Sequence, residues 1–186
     1  GNAGSWIISN NHFYFTDNAA AFKISEAISI TSIENLFATI SSNYIGGTAP
    51  FAGGSPLNET SSTIGTVGIY VNIMNAISKS TISGNVIKNM QRNSTGTGSF
   101  TGIAVQSGPA DIINNVIGDP LVANDLTFGV NGDILFQGIT SVTAQNLFAV
   151  SISGNSLNNI SMLNTFGNNG QFVGLNYSNT TTSNGT

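Results

Sequence analysis

The sequence predicts an all-β fold: a parallel β-helix, or solenoid, of about five coils with three short strands in each coil. The first observation is a repeated phrase, since Ile82-Ser83-Gly84-Asn85-Val86-Ile87 has near-copies that begin at Ile8, Ile40, Ile112 and Ile152. The second is that the copies recur every 30 to 42 residues, an internal period that is typical of solenoids. The third is that helical periodicity is missing, and short β-branched runs bounded by Gly, Asn and Ser take its place.

Alternation within the repeated phrase assigns its side chains to two faces. Ile82, Ile87 and Met90 are expected to point inward, and Ser83 and Val86 outward. The two inward columns of the five copies are wholly apolar, as a solenoid core requires: Ile8, Ile40, Ile82, Ile112 and Ile152, then Phe13, Ile45, Ile87, Ile117 and Leu157.

An asparagine lies three residues after the first Ile of every copy. A buried amide without partners would cost about 1–3 kcal/mol, so these side chains are expected to hydrogen-bond to one another from coil to coil and to tolerate the left-handed backbone of a turn. The alternative is that they act as metal ligands or catalytic amides, but neutral amides are poor nucleophiles and bases. We therefore predict a structural ladder formed by Asn11, Asn43, Asn85, Asn115 and Asn155.

Two further signatures supply the other strands of each coil. The first is Gly-Ile followed by alternation, at Gly68-Ile69, Gly102-Ile103 and Gly138-Ile139. The second begins with Asn and lies between the first signature and the asparagine phrase: residues 35–38, 75–78 and 146–149. Three strands per coil follow from these signatures.

The longest connections run from each asparagine phrase to the next Gly-Ile signature. They cover residues 46–67, 91–101, 118–137 and 161–172, and all are expected to leave one corner of the solenoid. Stacked loops form an edge that solenoids use for binding, although tolerated insertions would look the same. We expect one β-helix domain over residues 1–186, cut from a longer chain, with a loop at 164–170 and a flexible tail at 178–186.

One outward column, directly after the asparagine ladder, is apolar or aromatic: His12, Tyr44, Val86 and Val116, with Ser156 as its fifth member. An exposed apolar stripe is typical of a contact surface, and Tyr and His stack well on sugar faces, so glycan binding is one hypothesis. The other is that a loop folds back over the column. His12 is the only histidine, and we expect it to be a surface residue.

Acidic residues fall at different places in the coil and form no outward column, so no catalytic residue is assigned. The nearest cluster is Asp119, Asp125 and Asp133 within one predicted loop. Carboxylates of this kind can hold a Ca²⁺ ion, but their spacing matches no EF-hand, and a solvated loop is the alternative. We expect no cofactor other than this calcium ion.

The composition limits the classes of partner. Charged residues make up 6% of the chain, four residues are basic, and the net charge is −4, so no patch can neutralise a run of phosphates and nucleic acid is excluded. No run of about 20 apolar residues is present to span a membrane. Polarity is carried by 26 Asn and many Ser and Thr, and such a surface, poor in Lys, fits the outside of a cell. Cys is absent, which excludes disulfides and thiolate chemistry but does not fix the compartment. The expected partners are an extracellular glycan or protein, or neighbouring coils of a longer chain.

The phrase Ile-Ser-Gly-Asn-x-Ile-x-Asn, together with the Gly-Ile strands, resembles the repeats of the pectate-lyase-like superfamily. The resemblance covers residues 6 to about 177, and more narrowly it is to the degenerate repeats of large secreted surface proteins and adhesins of Bacteroidota and other bacteria. It implies a right-handed, single-stranded β-helix at the bacterial cell surface. The acidic and basic residues of a pectate lyase's calcium and proton-abstraction site have no matching positions here.

Three functional hypotheses follow. The first is a non-catalytic surface or adhesin-like segment that displays a loop-rich edge for glycan or protein binding or for assembly. The second is a carbohydrate-active enzyme, a lyase or hydrolase, on the same scaffold. The third is a purely structural filament or stalk.

Overall fold

The computed structural model describes residues 4–16, 26–34, 36–59, 65–92, 98–123, 125–129, 134–143, 148, 150–163 and 170–179. Parallel strands stack there into a β-solenoid of about four turns, which confirms the predicted fold class with slightly fewer coils than expected. No helix in these ranges is long and apolar enough to cross a membrane.

Nineteen strands are described. In chain order they are β1 (Gly4–Ser9), β2 (His12–Phe13), β3 (Glu26–Ser32), β4 (Leu36–Ser41), β5 (Tyr44–Ile45), β6 (Leu57–Glu59), β7 (Thr66–Ile73), β8 (Ser80–Ser83), β9 (Val86–Ile87), β10 (Met90–Arg92), β11 (Ser99–Ser107), β12 (Ala110–Ile113), β13 (Val116–Ile117), β14 (Leu126–Phe128), β15 (Leu135–Thr143), β16 (Ile152–Ser153), β17 (Ser156–Leu157), β18 (Ile160–Met162) and β19 (Gln171–Asn179).

These strands form four parallel sheets along the solenoid. Sheet A is β1-β4-β8-β12-β16, sheet B is β2-β5-β9-β13-β17, sheet C is β6-β10-β14-β18 and sheet D is β3-β7-β11-β15-β19. A full turn therefore carries four strands, and the prediction of three was wrong. Each strand pairs in parallel with its equivalents in the turns above and below.

Sheet C occupies the segments that the sequence predicted to be long loops at one corner. Its strands are three residues long, and their alternation places Leu57, Met90 and Leu126 in the core. Such short strands carry no repeated Gly or Asn signal, which is why the sequence did not separate them from loops. Between sheets B and C, loops remain at residues 46–56 and 118–123.

The predicted inward columns form the core. Ile40, Ile82 and Ile112 are completely buried in sheet A, and Ile87 and Ile117 in sheet B. Their counterparts in the first and last turns, Ile8, Ile152, Phe13 and Leu157, are partly buried and pack against the same core. This part of the prediction is confirmed.

The Gly-Ile signature is explained by the closeness of sheets B and D across the core. A Cβ on Gly68 would lie 2.7 Å from Ile87 Cδ1 and 2.6 Å from the carbonyl oxygen of Gly102. In the same way, a Cβ on Gly138 would lie 2.2 Å from Leu157 Cδ2. Glycine is needed at this position because the inward side chain of sheet B occupies the space of a Cβ.

The third signature does not form one strand per coil. Residues 36–38 begin β4, whereas Asn75 and Ile77 lie in the turn between sheets D and A, where Asn75 Nδ2 donates to the carbonyl oxygen of Ile33 at 2.7 Å. Residues 35, 146, 147 and 149 lie outside the described residues, as do 164–169 of the predicted loop and 180–186 of the predicted tail. Ser178 belongs to β19 rather than to the tail.

Candidate functional site

The asparagine ladder runs without interruption from Asn11 to Asn155, as predicted. Asn43, Asn85 and Asn115 are completely buried. The Asn85 side chain shows the pattern, because its Nδ2 donates to Asn115 Oδ1 at 2.9 Å and to the carbonyl oxygen of Ile40 in the preceding turn at 2.9 Å. Its Oδ1 accepts from the backbone N–H and from Nδ2 of Asn43. Both the Oδ1 and the Nδ2 of each buried amide thus have hydrogen-bond partners within the protein, and the ladder is structural.

The left-handed residue of each turn is the one before the ladder asparagine, so the expected reason for Asn at the ladder position was partly wrong. Its φ is 58° at Asn10, 55° at Ser42, 63° at Gly84, 55° at Asn114 and 65° at Gly154. Gly and Asn are the residues that adopt this backbone most easily. The ladder position is occupied by Asn for its side-chain hydrogen bonds alone.

A buried ion pair lies inside the core, and the sequence reasoning missed it. Glu59 and Arg92 are paired in register in sheet C and are 3% and 1% exposed, with Arg92 Nε 3.6 Å from Glu59 Oε2. Thr66 Oγ1 donates to Glu59 Oε2 at 2.7 Å, and Arg92 Nη1 donates to the carbonyl oxygen of Ser99 at 2.9 Å. Burial raises the pKa of Glu59 and lowers that of Arg92.

The position of both charges could have been read from alternation. Glu59 is two residues after the inward Leu57, and Arg92 is two residues after the inward Met90, so a period of two places both side chains in the core. Glu59 Oε1 has no hydrogen-bond partner among the described residues, so desolvation of the carboxylate is incompletely compensated.

Two of the three predicted calcium ligands lie close together, and both have protein partners. Asp125 is buried, and its Oδ2 accepts the backbone N–H of Asn89 at 2.8 Å and that of Asp119 at 3.0 Å. Asp119 Oδ2 accepts from Lys88 Nζ at 2.8 Å. Asp133 lies outside the described residues, and the described part of the chain contains no group of three acidic or histidine side chains arranged to hold a metal ion.

The pKa values of the two carboxyl groups are shifted in opposite directions. Burial raises the pKa of Asp125, against the lowering effect of the N–H donors of Asn89 and Asp119. The hydrogen bond from Lys88, followed by that from the Leu121 N–H, lowers the pKa of Asp119. The stability contributed by Asp125 is therefore present at acid pH and is lost as pH rises through its folded-state pKa, whereas that of Asp119 is present above about pH 3.9 and is lost as pH falls through its folded-state pKa.

We therefore expect opposite pH profiles for Asp125→Asn and Asp119→Asn. Relative to the unsubstituted chain, Asp125→Asn gains unfolding free energy as pH rises, because Asn cannot ionise and so avoids the cost of burying a carboxylate. Its amide oxygen can still accept both N–H groups. Asp119→Asn is less stable at neutral pH, and its deficit closes as pH falls. Urea unfolding between acid and neutral pH measures both, and profiles of the same sign would contradict the assignment.

The predicted outward stripe is present on sheet B, where His12, Tyr44, Val86, Val116 and Ser156 stack in register and are all half-buried. Its first two members form an aromatic cluster with Phe51 from the loop at 46–56, which we call the aromatic patch: His12, Tyr44 and Phe51. The His12 ring centroid lies 4.1 Å from that of Phe51 and 5.3 Å from that of Tyr44, and the Tyr44 and Phe51 centroids are 5.2 Å apart.

The aromatic patch combines both readings of the stripe. A loop does fold onto His12 and Tyr44, but the ring that it brings is 59% exposed. Sequence reasoning missed Phe51 because a loop residue has no place in a repeat, and the only local signal was the Pro50 that precedes it and the two Gly that follow Ala52.

The backbone of this loop is strained and closely held. Phe51 has φ 60° and ψ 28°, and Ala52 has φ 52°, a left-handed conformation that is uncommon for bulky side chains. The Nδ2 of Asn89 lies within hydrogen-bond distance of four successive carbonyl oxygens of the loop, those of residues 52, 53, 54 and 55, at 3.1–3.3 Å. Asn89 also binds the two ends of the loop through its own carbonyl oxygen, which accepts from the N–H of Gly47 at 3.0 Å and of Leu57 at 2.9 Å.

Comparison of the chain with protein-family models, with curated proteins and with solved structures finds no match.

Proposed function

We propose that this chain is a non-catalytic extracellular β-solenoid segment of a bacterial surface or adhesin-like protein, and that it binds carbohydrate through the aromatic patch. The observation that carries the proposal is Phe51, whose ring is 59% exposed although it packs on His12 and Tyr44 and its backbone is left-handed. Strained backbone that the surrounding structure holds in place is typical of functional sites. The resemblance of the repeats to bacterial surface proteins supports the extracellular placement.

The chemistry of the aromatic patch suits a sugar ring. Aromatic rings are apolar on their faces and carry polar handles in Tyr and His, so they can contact the C–H face of a sugar while hydrogen-bonding its hydroxyls. The site needs little ordering on binding, because His12 and Tyr44 are fixed by strand pairing and the loop is fixed by Asn89. Preorganisation of this kind lowers the entropic cost of binding.

Three of the described carboxylates are paired with cations, which favours a binding role over catalysis for these groups. Asp111 accepts from Lys79 Nζ at 2.9 Å, Asp119 accepts from Lys88, and Glu59 is buried beside Arg92. General acid–base work on a glycosidic bond needs two carboxyl groups that face one substrate. The carboxylates of these three pairs are committed to neighbouring cations instead.

The test is binding of the 186-residue chain to a panel of polysaccharides and oligosaccharides, followed by titration calorimetry on those that bind. Phe51→Ala is expected to weaken binding at least about 10-fold, the equivalent of about 1.4 kcal/mol. Leu121→Ala is the matched control, since it removes a 91% exposed apolar side chain from another loop and should leave the affinity unchanged.

Three results would contradict the proposal. The first is that no carbohydrate binds, and the second is that Phe51→Ala binds as tightly as the unsubstituted chain. The third is release of new reducing or unsaturated ends during incubation, which would identify the chain as a carbohydrate-active enzyme.

A further inference from the structure

We propose that the carbohydrate bound at the aromatic patch is uncharged, and that the ion pair between Lys88 and Asp119 excludes anionic sugars by neutralising an ammonium group beside the patch. The inference rests on the proposed function and deepens it, since it names the class of sugar. It follows from the place of Lys88 in the fold, from the way Asp119 holds its ammonium group, and from the pairing of the other described basic side chains.

Lys88 lies beside the aromatic patch. It is two residues beyond the strand partner of Tyr44 in the next turn, so the period of two places it on the same outward face. With strands about 4.8 Å apart and a rise of about 3.3 Å per residue, such a diagonal position is within reach of a lysine side chain. The Lys88 N–H donates to the carbonyl oxygen of Ile45 at 3.0 Å. A Cβ on Gly46, the first residue of the loop that carries Phe51, would collide with the Lys88 carbonyl oxygen.

An uncompensated ammonium group at this point would favour acidic sugars. A hydrogen bond between an ammonium group and a carboxylate is roughly twice as strong as one between neutral groups. A lysine also carries its charge on a flexible stem, so the ammonium group could follow a bound uronate. The rings of the aromatic patch offer apolar contact to any sugar, whatever its charge. The state of the Lys88 ammonium group therefore decides whether the surroundings of the patch attract a carboxylate.

Asp119 removes this attraction in two ways. Its Oδ2 neutralises Lys88 Nζ at 2.8 Å, in a pair whose side chains are only 24% and 17% exposed. Asp119 belongs to the turn that follows Lys88, whereas Tyr44 belongs to the turn that precedes it, so the ammonium group is drawn away from the aromatic rings. The carboxylate is itself held in place, because its Oδ1 accepts the N–H of Leu121 at 2.8 Å and its own N–H donates to Asp125 Oδ2 at 3.0 Å.

The other described basic side chains are also committed to carboxylates. Lys79 Nζ lies 2.7 Å from Asp111 Oδ2, and Arg92 is buried beside Glu59. The fourth basic residue, Lys23, lies outside the described residues. The formal net charge of the chain is −4, which repels anionic polymers at a distance. Within the described part of the chain, a uronate at the aromatic patch would therefore meet no uncompensated Lys or Arg.

The experiment is titration calorimetry of the 186-residue chain with matched oligosaccharides at low salt. The neutral probes are glucan and galactan oligosaccharides, and the anionic probes are the same chains with the hydroxymethyl group of each sugar oxidised to a carboxylate. The buffer is mildly alkaline, where imidazole groups are ordinarily uncharged. The neutral member of each pair is expected to bind at least about 5-fold more tightly than its uronate counterpart.

Asp119→Asn is the variant that isolates the ion pair. The amide keeps an oxygen for the N–H of Leu121 but loses the charge, so the Lys88 ammonium group becomes available to a ligand. Uronate affinity should rise about 3- to 5-fold, and the gain should vanish at high salt and in Asp119→Asn/Lys88→Gln. Asp111→Asn is the matched control, because it makes the same change of charge but releases Lys79, beside sheet A, and should keep the preference of the unsubstituted chain.

The outcomes separate this inference from the proposed function. Uronates that bind the unsubstituted chain as tightly as neutral sugars would overturn the inference and leave the proposed function standing, whereas binding of neither series would overturn both. The inference also fails if Asp119→Asn shows no gain, if Asp111→Asn shows the same gain, or if the gain persists when Phe51→Ala is added. Asp119→Ser takes the place of Asp119→Asn if that variant loses the far-ultraviolet spectrum of the parent chain.

Discussion

Asn85→Ala is expected to lower the free energy of unfolding by about 3–5 kcal/mol. The substitution leaves three buried groups short of a partner: the N–H and Nδ2 of Asn43 and the carbonyl oxygen of Ile40. Alanine can replace none of these bonds, and water has no access because Asn85 is completely buried. Urea unfolding followed by circular dichroism measures the loss.

Asn11→Ala is the matched control at the end of the same ladder. Asn11 is exposed, and its backbone N–H keeps its bond to Asn43 Oδ1 at 3.0 Å after the substitution. The groups that lose a partner can bind water, so a cost of about 1 kcal/mol or less is expected. Equal costs for the two variants would show that burial of the ladder does not determine its contribution.

Arg92→Met is expected to destabilise the chain by about 3–5 kcal/mol, because it leaves Glu59 buried without its cation. Burial already raises the pKa of Glu59 in the presence of Arg92, so removing the cation moves that pKa further upward and favours the protonated acid in the folded state. The loss in unfolding free energy should therefore shrink as pH falls, which separates it from a loss of packing. Urea unfolding at neutral pH measures the loss in unfolding free energy, and urea unfolding at acid pH measures how much of that loss disappears.

The double variant Glu59→Met/Arg92→Met tests whether the buried ion pair stabilises the fold more than two apolar side chains would. Replacement of both charges removes the desolvation penalty, so most of the stability lost in Arg92→Met should return. Lys79→Met is the control for an ion pair nearer to solvent, since the Lys79 and Asp111 side chains are 34% and 20% exposed, and it should cost about 0–1 kcal/mol. A double variant as unstable as Arg92→Met would contradict this account of the pair.

The parts of the fold that repeat were predictable, and the parts that occur once were not. The ladder and the isoleucine columns recur in every turn, so each copy supports the interpretation of the others. Sheet C lacks such a signal because its inward positions hold Leu57, Glu59, Met90 and Arg92, a mixture of apolar and charged residues. Only the alternation of inward and outward residues, with a period of two, indicates the strands of sheet C.

The aromatic patch shows the same limit at the candidate site. The sequence placed His12 next to Tyr44, because both follow a ladder asparagine, and strand pairing brings them together. Phe51 joins them through a loop whose path depends on Asn89, 38 residues further along the chain. A contact set by one distant side chain leaves no periodic trace, so the third ring could not be predicted.

The ladder also sets the order in which the molecule opens. Each ladder amide bonds only within its own turn and to the turns directly above and below it, so the isolated 186-residue chain is close to a one-dimensional array in which terminal turns fray first and central turns exchange their amide hydrogens last. Phe51 and Tyr44 belong to the second turn and His12 to the first, so the aromatic patch spans the boundary between a fraying turn and its neighbour. A ligand that contacts all three rings would clamp that boundary and slow hydrogen exchange in β2, which carries His12, and in β1, which the ligand does not touch.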